Sequence, residues 1–354
     1  MQPSRSSSSP GPGRGPAPSL SAGEDRSAFP RLVADIGGSN ARFGLLMDAD
    51  SPVRHVHTLA VADHAGPAEA VRAYLDRVHR DIGDAYRPPC RAAFAVATAV
   101  GSDRIRFTNS HWDFSSAELQ SGLGLELLLM LNDFEALALS LPRLSAAQLR
   151  CHGELPSGLG TLAVVGPGTG LGVGGVLQTP NGWVALSGEG GHATLAAVNP
   201  FEDNLLAWVR HTYPHVSGER LLSGIGLPLL YRAVAAVQGM SAGELGAEQV
   251  VEQAVAGSDA LCVRTMAVFC ALLGGFAGNL ALTLGARGGV YIGGGIVPRL
   301  GDAFFASEFR ERFEAKGRFR PYLEQIPTAL ITDTLAALTG AALALEQHRG
   351  LASS

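Results

Sequence analysis

Two stretches of the same design decide the fold of this chain: LVADIGGSNARFGLL at residues 32–46 and LAVVGPGTGLGV at residues 162–173. Each consists of an apolar run, a tight turn of glycines with hydroxyl or amide side chains, and a second apolar run. This pattern predicts a β-hairpin whose turn presents bare backbone N–H groups to an anion. Because the two hairpins lie about half a chain apart, we expect two facing half-sites that hold one polyphosphate between them.

The size and charge of the chain narrow the possible classes of protein. At 354 residues it exceeds the length at which one hydrophobic core usually suffices, so we expect two domains. Hydrophobic residues make up 46% of the chain and charged residues 17%, which allows a large core. The net charge of −5 and the pI near 6.1 argue against nucleic acid and membrane as partners, because a protein that binds either of these polyanions usually carries a basic surface.

The cysteines and the N-terminal segment indicate a cytoplasmic protein. The cysteines are scattered without C-x-x-C spacing, which argues against a zinc site or a disulfide framework and predicts reduced, mostly buried thiols. Residues 1–29 are rich in Ser, Pro and Gly and too polar to contain a signal-peptide core. We expect them to form a disordered leader.

One segment is long and apolar enough to cross a bilayer: residues 265–286 contain no charged side chain. The segment also holds Gly274, Gly275 and Gly278 and lacks flanking aromatic and basic anchors. It therefore predicts a buried helix, whose small residues would let it lie close against a sheet.

The remaining pattern is that of an α/β protein, in which a series of hairpin, strands and helices occurs twice. Strands are predicted at 32–36, 41–47, 92–97, 127–131, 161–165, 171–177, 183–187, 289–293 and 328–332. Helices are predicted at 67–79, 134–139, 201–211, 227–238, 242–255, 259–285 and 335–347. The repetition places the ligand site in a cleft between two domains.

The only lysine, Lys316, restricts the nucleotide chemistry that is available. The chain has neither the lysine phosphate loop G-x-x-x-x-G-K-[ST] nor the V-A-I-K lysine of protein kinases. A nucleotide phosphate would have to be bound by backbone N–H groups, hydroxyls, Arg and Mg²⁺. The turns Gly37–Asn40 and Gly168–Gly170 can supply the first two of these.

Two glycine runs admit a second interpretation. Residues 170–175 fit G-x-G-x-x-G, the fingerprint of a dinucleotide site, but a short apolar run follows where that fold needs a helix. Gly293, Gly294 and Gly295 follow a predicted strand and would let a flat base approach the backbone, although an ordinary strand-to-helix turn fits equally well.

Acidic and amide side chains stand at three positions where polar chemistry is expected. Asp133 follows a strand and begins a helix, so Asn132-Asp133 is either a helix N-cap or the end of a strand that carries a general base. Glu189 and His192 lie on a loop of glycines and suit hydrogen bonds to a polyol better than zinc. For Glu219 the local sequence favours an acid in the first turn of a short helix over a sugar contact.

Taken in order, these motifs resemble the bacterial glucokinase family, the ATP-dependent, zinc-free hexokinases of the actin-like ATPase superfamily. The resemblance covers about residues 32–345. It rests on DIGGSNAR (35–42), TNSHW (108–112), LNDF (131–134), GPGTGLGVG (166–174), GEGGH (188–192), VSGERLLSG (216–224) and GGGIVPRL (293–300).

The resemblance implies an α/β, two-domain actin-like ATPase (ribonuclease H-like) fold with an interdomain active-site cleft, and a homodimer. It implies a leader at residues 1–29, a small α/β domain at 30–142 plus 333–347, and a large α/β domain at 143–332. The activity it implies is the ATP-dependent phosphorylation of glucose to glucose 6-phosphate, the first step of glycolysis.

The resemblance also implies a role for each site residue. Asp133 corresponds to the general base, and Asp35 would orient Mg²⁺. The residues implied to contact glucose are Asn109, Asn132, Asp133, Glu189, His192 and Glu219. The residues implied to hold ATP are Asp35, Gly37, Gly38, Ser39, Asn40, Gly168, Thr169, Gly170, Gly293, Gly294 and Gly295.

The chain departs from the family pattern in two places. Ser39 replaces the usual Thr and keeps the hydroxyl, whereas residues 97–99 (Ala-Thr-Ala) replace a stretch that usually carries Pro near the sugar. A hexokinase for fructose, mannose or an N-acetylated sugar is therefore an alternative. A sugar-responsive transcription regulator would need an N-terminal helix-turn-helix, and a filament-forming ATPase would not need Glu189, His192 and Glu219.

Overall fold

The computed structural model describes residues 29–49, 51–107 and 109–352. The leader predicted over residues 1–29 therefore lies outside the described residues, apart from Phe29. The strands are β1 (Arg31–Ile36), β2 (Asn40–Leu46), β3 (Arg54–Ala60), β4 (Arg91–Val96), β5 (Arg104–Arg106), β6 (Asp113–Ser115), β7 (Leu127–Asn132), β8 (Leu149–His152), β9 (Leu162–Pro167), β10 (Leu171–Thr179), β11 (Gly182–Leu186), β12 (Gly289–Ile292) and β13 (Thr328–Ile331).

The helices complete the chain between and after these strands. They are α1 (Pro67–Ile82), α2 (Ser116–Gly122), α3 (Asp133–Ser140), α4 (Pro200–Arg210), α5 (Gly218–Leu221), α6 (Leu227–Val237), α7 (Ala247–Ala256), α8 (Ala260–Leu284), α9 (Val297–Leu300), α10 (Asp302–Phe305), α11 (Phe309–Glu314), α12 (Arg320–Glu324) and α13 (Ala336–Ala352).

Two mixed sheets repeat one topology. The first has the order β3-β2-β1-β4-β7, and the second has the order β11-β10-β9-β12-β13 with β8 added at its edge. In each, a central strand pairs antiparallel with the next strand of its hairpin and parallel with a later strand. The predicted repetition is thus present as topology, and both predicted hairpins form.

The hairpins form where the sequence is apolar on both sides of the turn. All of β9 is buried, and in β1 only Asp35 is partly exposed. Strands that are apolar on both faces lie inside a sheet covered on both sides. The Gly-rich turns are thereby fixed at the ends of the best-buried strands of each sheet.

Helix α3 lies between the two sheets. One of its faces packs on α13 through Ala136 and Leu139, and the other packs on the second sheet through Ala138. The approach of α13 is close, because a Cβ added to Gly340 would lie only 1.6 Å from the carbonyl oxygen of Ala136. The N-terminus of α3 is therefore held by both halves of the molecule.

Helix α8 accounts for the long apolar segment. It has the length and hydropathy of a membrane span, but 72% of its most apolar window is buried inside the protein. The prediction of a buried helix is confirmed, but its close partner at two of the glycines is a helix and not a sheet. A Cβ on Gly274 would lie 2.1 Å from the carbonyl oxygen of Phe309, and one on Gly278 would lie 2.5 Å from that of Phe313, both on α11.

Other differences from the predicted elements are local. The helix predicted from residue 242 begins at Ala247, after Gly246, and the last helix continues beyond 347 to Ala352. Strands β3, β5, β6 and β8 and helices α2 and α9–α12 were not predicted. All of them have seven residues or fewer, which is too short for a hydrophobic period to be visible.

Candidate active site

The turn of the first hairpin offers free backbone amides. Gly37 N donates to Asn40 O at 2.9 Å and closes the turn. Within the described part of the chain, the amides of Gly38 and Ser39 have no hydrogen-bond acceptor. A Cβ on Gly38 would lie 2.8 Å from Asn109 O, so glycine at this position lets Asn109 approach the turn.

Asp35 stands at the end of β1 beside this turn. Burial raises the pKa of its carboxyl group, and the charge of Arg42 opposes that shift. The two residues are register partners across the hairpin, and Arg42 Nη1 lies 3.8 Å from Asp35 Oδ2. Arg42 also donates to the carbonyl oxygen of Thr334, just before α13. Sequence reasoning did not select Arg42, although the hairpin register predicts its position opposite Asp35.

The turn of the second hairpin is also closed by a backbone hydrogen bond, from Gly168 N to Gly170 O at 2.9 Å. The amides of Thr169 and Gly170 meet no acceptor among the described residues. The loop after α5 supports the turn from outside, since Gly224 N donates to Gly168 O at 2.8 Å. The turn is thus fixed, and two of its N–H groups remain available to an anion.

Glu219 connects this second turn to the predicted sugar residues. Its Oε2 accepts a hydrogen bond from Leu171 N at 2.9 Å, and its Oε1 lies 3.8 Å from Nδ1 of His192. A Cβ on Gly170 would lie 2.4 Å from Glu219 Oε2, so the glycine is needed for this contact. Glu219 also lies in the first turn of α5, as the helix interpretation of this position predicts, and its contact with sugar stays a prediction.

The Asn132-Asp133 pair lies where β7 ends and α3 begins. Asn132 is the N-cap of α3, and its Oδ1 accepts a hydrogen bond from Phe134 N at 2.9 Å. Its Nδ2 donates to Thr98 O at 3.2 Å. The variant loop at residues 97–99 therefore contacts one of the residues implied to bind sugar.

The carboxyl group of Asp133 has the electrostatics of a general base. Burial raises its pKa from 3.8 to about 6, and the charges of Asp35 and Glu189 act in the same direction. A hydrogen bond from Phe134 N to Asp133 Oδ1 at 2.9 Å limits the shift. A carboxylate with a pKa near 6 is a better proton acceptor than an ordinary one and is still ionised near neutral pH.

The third glycine run contacts the second hairpin. Gly293 N donates to Val165 O at 2.9 Å, and Ile296 N donates to Pro167 O at 3.2 Å. Gly294 has a positive φ of 77°, and a Cβ there would lie 2.2 Å from Pro167 O. Only glycine allows so close a passage.

The structure places three of the predicted residues beside the carboxyl group of Asp133. The charges of Asp35 and Glu189 raise the pKa of Asp133, and Asn132 directly precedes Asp133 in the chain. Glu219 and His192 pair beside the second turn, whereas Asn109 lies against the first. Gly293 contacts the second hairpin and α3, and Gly294 contacts the second hairpin. Thr108, the first residue of the TNSHW motif, lies outside the described residues.

The side chains near the two turns suit a metal ion that is bound mainly by substrate phosphates and water. No group of three or more His, Cys, Asp or Glu side chains that could hold a metal occurs among residues 29–49, 51–107 and 109–352. Mg²⁺ is commonly bound by one or two carboxylates together with substrate phosphates. Asp35, a partly buried carboxylate beside the open amides of the first turn, suits that role.

Comparison with known proteins places the chain in a family. A family model described as glucokinase matches residues 32–348. A curated glucokinase from Aromatoleum aromaticum is 49% identical over 319 residues, which are 90% of this chain and 95% of that protein. A glucokinase from Chromobacterium violaceum is 47% identical over 91% of this chain and 90% of its own length.

A solved structure shares the fold. The crystal structure of a glucokinase from an Antarctic psychrotroph superimposes with a TM-score of 0.81 at 39% identity, over 90% of this chain and 98% of that one. The predicted two-domain α/β fold of the actin-like ATPase superfamily is therefore confirmed. The chain belongs to the glucokinase family, and it is an enzyme of that family.

Proposed function

We propose that this enzyme transfers the γ-phosphoryl group of ATP to the 6-hydroxyl of glucose, with Asp133 as the general base. The observation that carries the proposal is the position of Asp133 at the N-terminus of α3, where the next residue packs on the second hairpin. Burial and the charge of Asp35 on the first hairpin raise the pKa of this carboxyl group to about 6. Asp133 accepts the hydroxyl proton as the oxygen attacks phosphorus.

The sugar is held on the side of Glu189, His192 and Glu219. Their carboxylates and imidazole are hydrogen-bonding groups for hydroxyls, and their partial exposure leaves them accessible to a ligand. Asn132 supplies a further amide from the helix cap, and Asn109 lies across the cleft against the first turn. This arrangement surrounds Asp133 with the groups that orient its substrate.

The phosphates of ATP are held by the two turns. The free amides of Gly38 and Ser39 face them from one hairpin, and those of Thr169 and Gly170 from the other, while Gly37 and Asn40 close the first turn. Gly168 closes the second turn, and Gly293, Gly294 and Gly295 allow the adenosine to lie on the backbone. Asp35 holds Mg²⁺, directly or through water, and the ion supplies charge neutralisation on the phosphoryl oxygens. Since the only lysine, Lys316, is bound to Gly275 O and Asn279 Oδ1 on α8, backbone dipoles must supply much of the remaining stabilisation.

The proposal extends to the setting of the reaction. It is the first step of glycolysis in the cytoplasm, carried out by a homodimer. Each subunit consists of a small domain at residues 30–142 plus 333–347 and a large domain at 143–332. The position of α13 against α3 and the first sheet supports this assignment of the C-terminal helix.

A hexokinase for a different sugar is the second candidate, because the variant loop contacts Asn132 through Thr98 O. Purified protein should be assayed with MgATP against glucose, fructose, mannose and N-acetylglucosamine, with ADP and sugar phosphate measured together. Preferential turnover on glucose supports the proposal. Preferential turnover on another sugar would overturn the choice of glucose and direct attention to residues 97–99.

The role of Asp133 is tested by Asp133→Asn, which removes the proton acceptor but keeps the shape of the side chain. We expect turnover to fall by about 10² or more, the scale of general-base loss, with glucose binding nearly unchanged. Glucose binding followed by intrinsic fluorescence provides the control for folding. Turnover close to that of the unaltered enzyme would show that Asp133 is not the base.

A further inference from the structure

The side chain of Phe134 occupies a space that two glycines leave open. Gly166 and Gly172 are register partners on β9 and β10. A Cβ on Gly172 would lie 1.9 Å from Phe134 Cδ2 and Cε2, and one on Gly166 would lie 2.5 Å from Phe134 Cζ. The ring therefore rests directly on the backbone of the second hairpin, at a pair of positions where any larger residue would displace it.

This contact lies next to the proposed phosphate site. Gly166 comes two residues before Gly168, and Gly172 comes two residues after Gly170, so the ring covers the base of the turn. The backbone of the same residue approaches β10 as well, because a Cβ on Gly174 would lie 2.7 Å from Phe134 O.

The backbone N–H of Phe134 contacts the proposed base. It donates to Asp133 Oδ1 and to Asn132 Oδ1, both at 2.9 Å. One residue therefore orients the carboxylate through its amide and packs on the phosphate-binding hairpin through its ring. A shift of the ring on the hairpin would move the start of α3 and the carboxylate with it.

We propose that Phe134 is a positioning residue that sets the distance between Asp133 and the turn Gly168–Gly170. The inference rests on the proposed function, since it assumes that Asp133 is the base and that the turn holds the transferred phosphate. A displacement of a reacting group by about 1 Å can lower the rate by about 10². A smaller side chain in place of Phe134 would leave a gap on the hairpin and is therefore expected to lower turnover.

The first test compares Phe134→Leu and Phe134→Ala with a matched control, Phe304→Leu. Phe304 is fully buried and packs on Phe305, Phe309 and His152. We expect kcat to fall by about tenfold in Phe134→Leu and about 10² in Phe134→Ala, on the scale of a misplaced reacting group. The KM for glucose should stay within about threefold, because Glu189, His192 and Glu219 are untouched, and this split is the signature of a group that acts on geometry. Phe304→Leu should lower Tm but leave kcat unchanged.

The second test uses the glycine that faces the ring. Gly172→Ala places a methyl group where the ring lies and should lower kcat on its own, whereas in Gly172→Ala/Phe134→Ala the methyl enters the vacated space. If the two sites were independent, the fold-losses in kcat of the two single variants would multiply. We expect the double variant to lose less kcat than that product. The acid limb of the pH profile should also move to lower pH in Phe134→Ala, because water then reaches the Asp133 carboxyl group.

The outcomes separate the inference from the proposed function. If Asp133→Asn keeps its turnover, the assignment of Asp133 as the base fails, and the role of Phe134 fails with it. If Asp133→Asn is inactive but Phe134→Leu, folded by circular dichroism, keeps its kcat or loses no more than Phe304→Leu, the inference alone is wrong. The inference is also wrong if the fold-loss in kcat of Gly172→Ala/Phe134→Ala equals the product of the fold-losses of the two single variants.

Discussion

At the scale of single residues, the site depends on how one carboxyl group is surrounded. Asp133 is flanked by two further acids, Asp35 and Glu189, which raise its pKa in addition to the effect of burial. Arg42 compensates part of this negative charge, through Asp35. The local charge therefore favours a cationic ligand at Asp35 and a proton acceptor at Asp133.

The raised pKa of Asp133 predicts the pH dependence of the reaction. A general base must be deprotonated, so kcat/KM for glucose should be half-maximal near pH 6 and fall about tenfold per unit below it. An unshifted carboxyl group, with its pKa near 3.8, would leave the rate flat down to about pH 5. Glu189→Gln removes one of the repelling charges and should move this limb to slightly lower pH. A profile that is flat from pH 7 to 5 would contradict the assignment.

Sequence reasoning selected Asp133, Glu189 and Glu219 as candidates but did not select Arg42 or the residues that position the candidates. Asp133 could be selected because it stands at a strand end and Glu189 because it stands on a glycine-rich loop, whereas Glu219 was selected from the resemblance to the glucokinase family. Phe134 could not, because an aromatic residue in an apolar helix is indistinguishable from core until the glycines beneath it are seen. The contact of Thr98 O with Asn132 likewise joins segments that are far apart along the chain.

At the scale of elements, the position of the base depends on how closely α13 packs on α3. Gly340→Ala would force a methyl group to within 1.6 Å of Ala136 O. We expect a loss of about 1–3 kcal/mol in the free energy of unfolding, the usual cost of overpacking, and a reduced kcat because α3 carries Asp133. Gly275→Ala in α8 is the matched control, since a Cβ there meets nothing within 4 Å. It should be neutral or stabilising by up to about 1 kcal/mol.

Urea unfolding of both variants measures these changes. A Gly340→Ala protein as stable and active as Gly275→Ala would show that the α3–α13 contact does not fix the base. The two substitutions add the same atom to a helix, so any difference between them comes from the neighbouring helix and not from helix propensity.

The elements that could be predicted are those whose burial is uniform. Both hairpins and α8 have long apolar runs and were placed to within a few residues. The short helices between Val297 and Glu324 could not be predicted from the sequence. Each is only a turn or two long, and they bury isolated aromatic residues such as Phe309 and Phe313. Such helices are stabilised by the core they cover, which the local sequence does not show.

At the scale of the whole molecule, the two sheets share a topology but hold different parts of the site. The first supplies Asp35 and, at the end of β7, Asp133. The second supplies the turn Gly168–Gly170, and the segments that follow β11 supply the sugar-side residues. The repeated hairpins predicted this division, and the proposed function places the phosphates of ATP between the two turns. The base is partly buried, whereas Glu189 and His192 are exposed.

This unequal exposure predicts closure of the cleft around the sugar. Phosphoryl transfer to a hydroxyl in competition with water needs water to be excluded, and exposed sugar contacts do not exclude it. We expect small-angle X-ray scattering to show a smaller radius of gyration at saturating glucose than without it, with a midpoint at the Kd for glucose. A hexose that the enzyme does not phosphorylate serves as the control and should leave the radius unchanged. If glucose binds without any change in the scattering profile, the site closes by side-chain movement alone, and the exposed residues must then exclude water without domain motion.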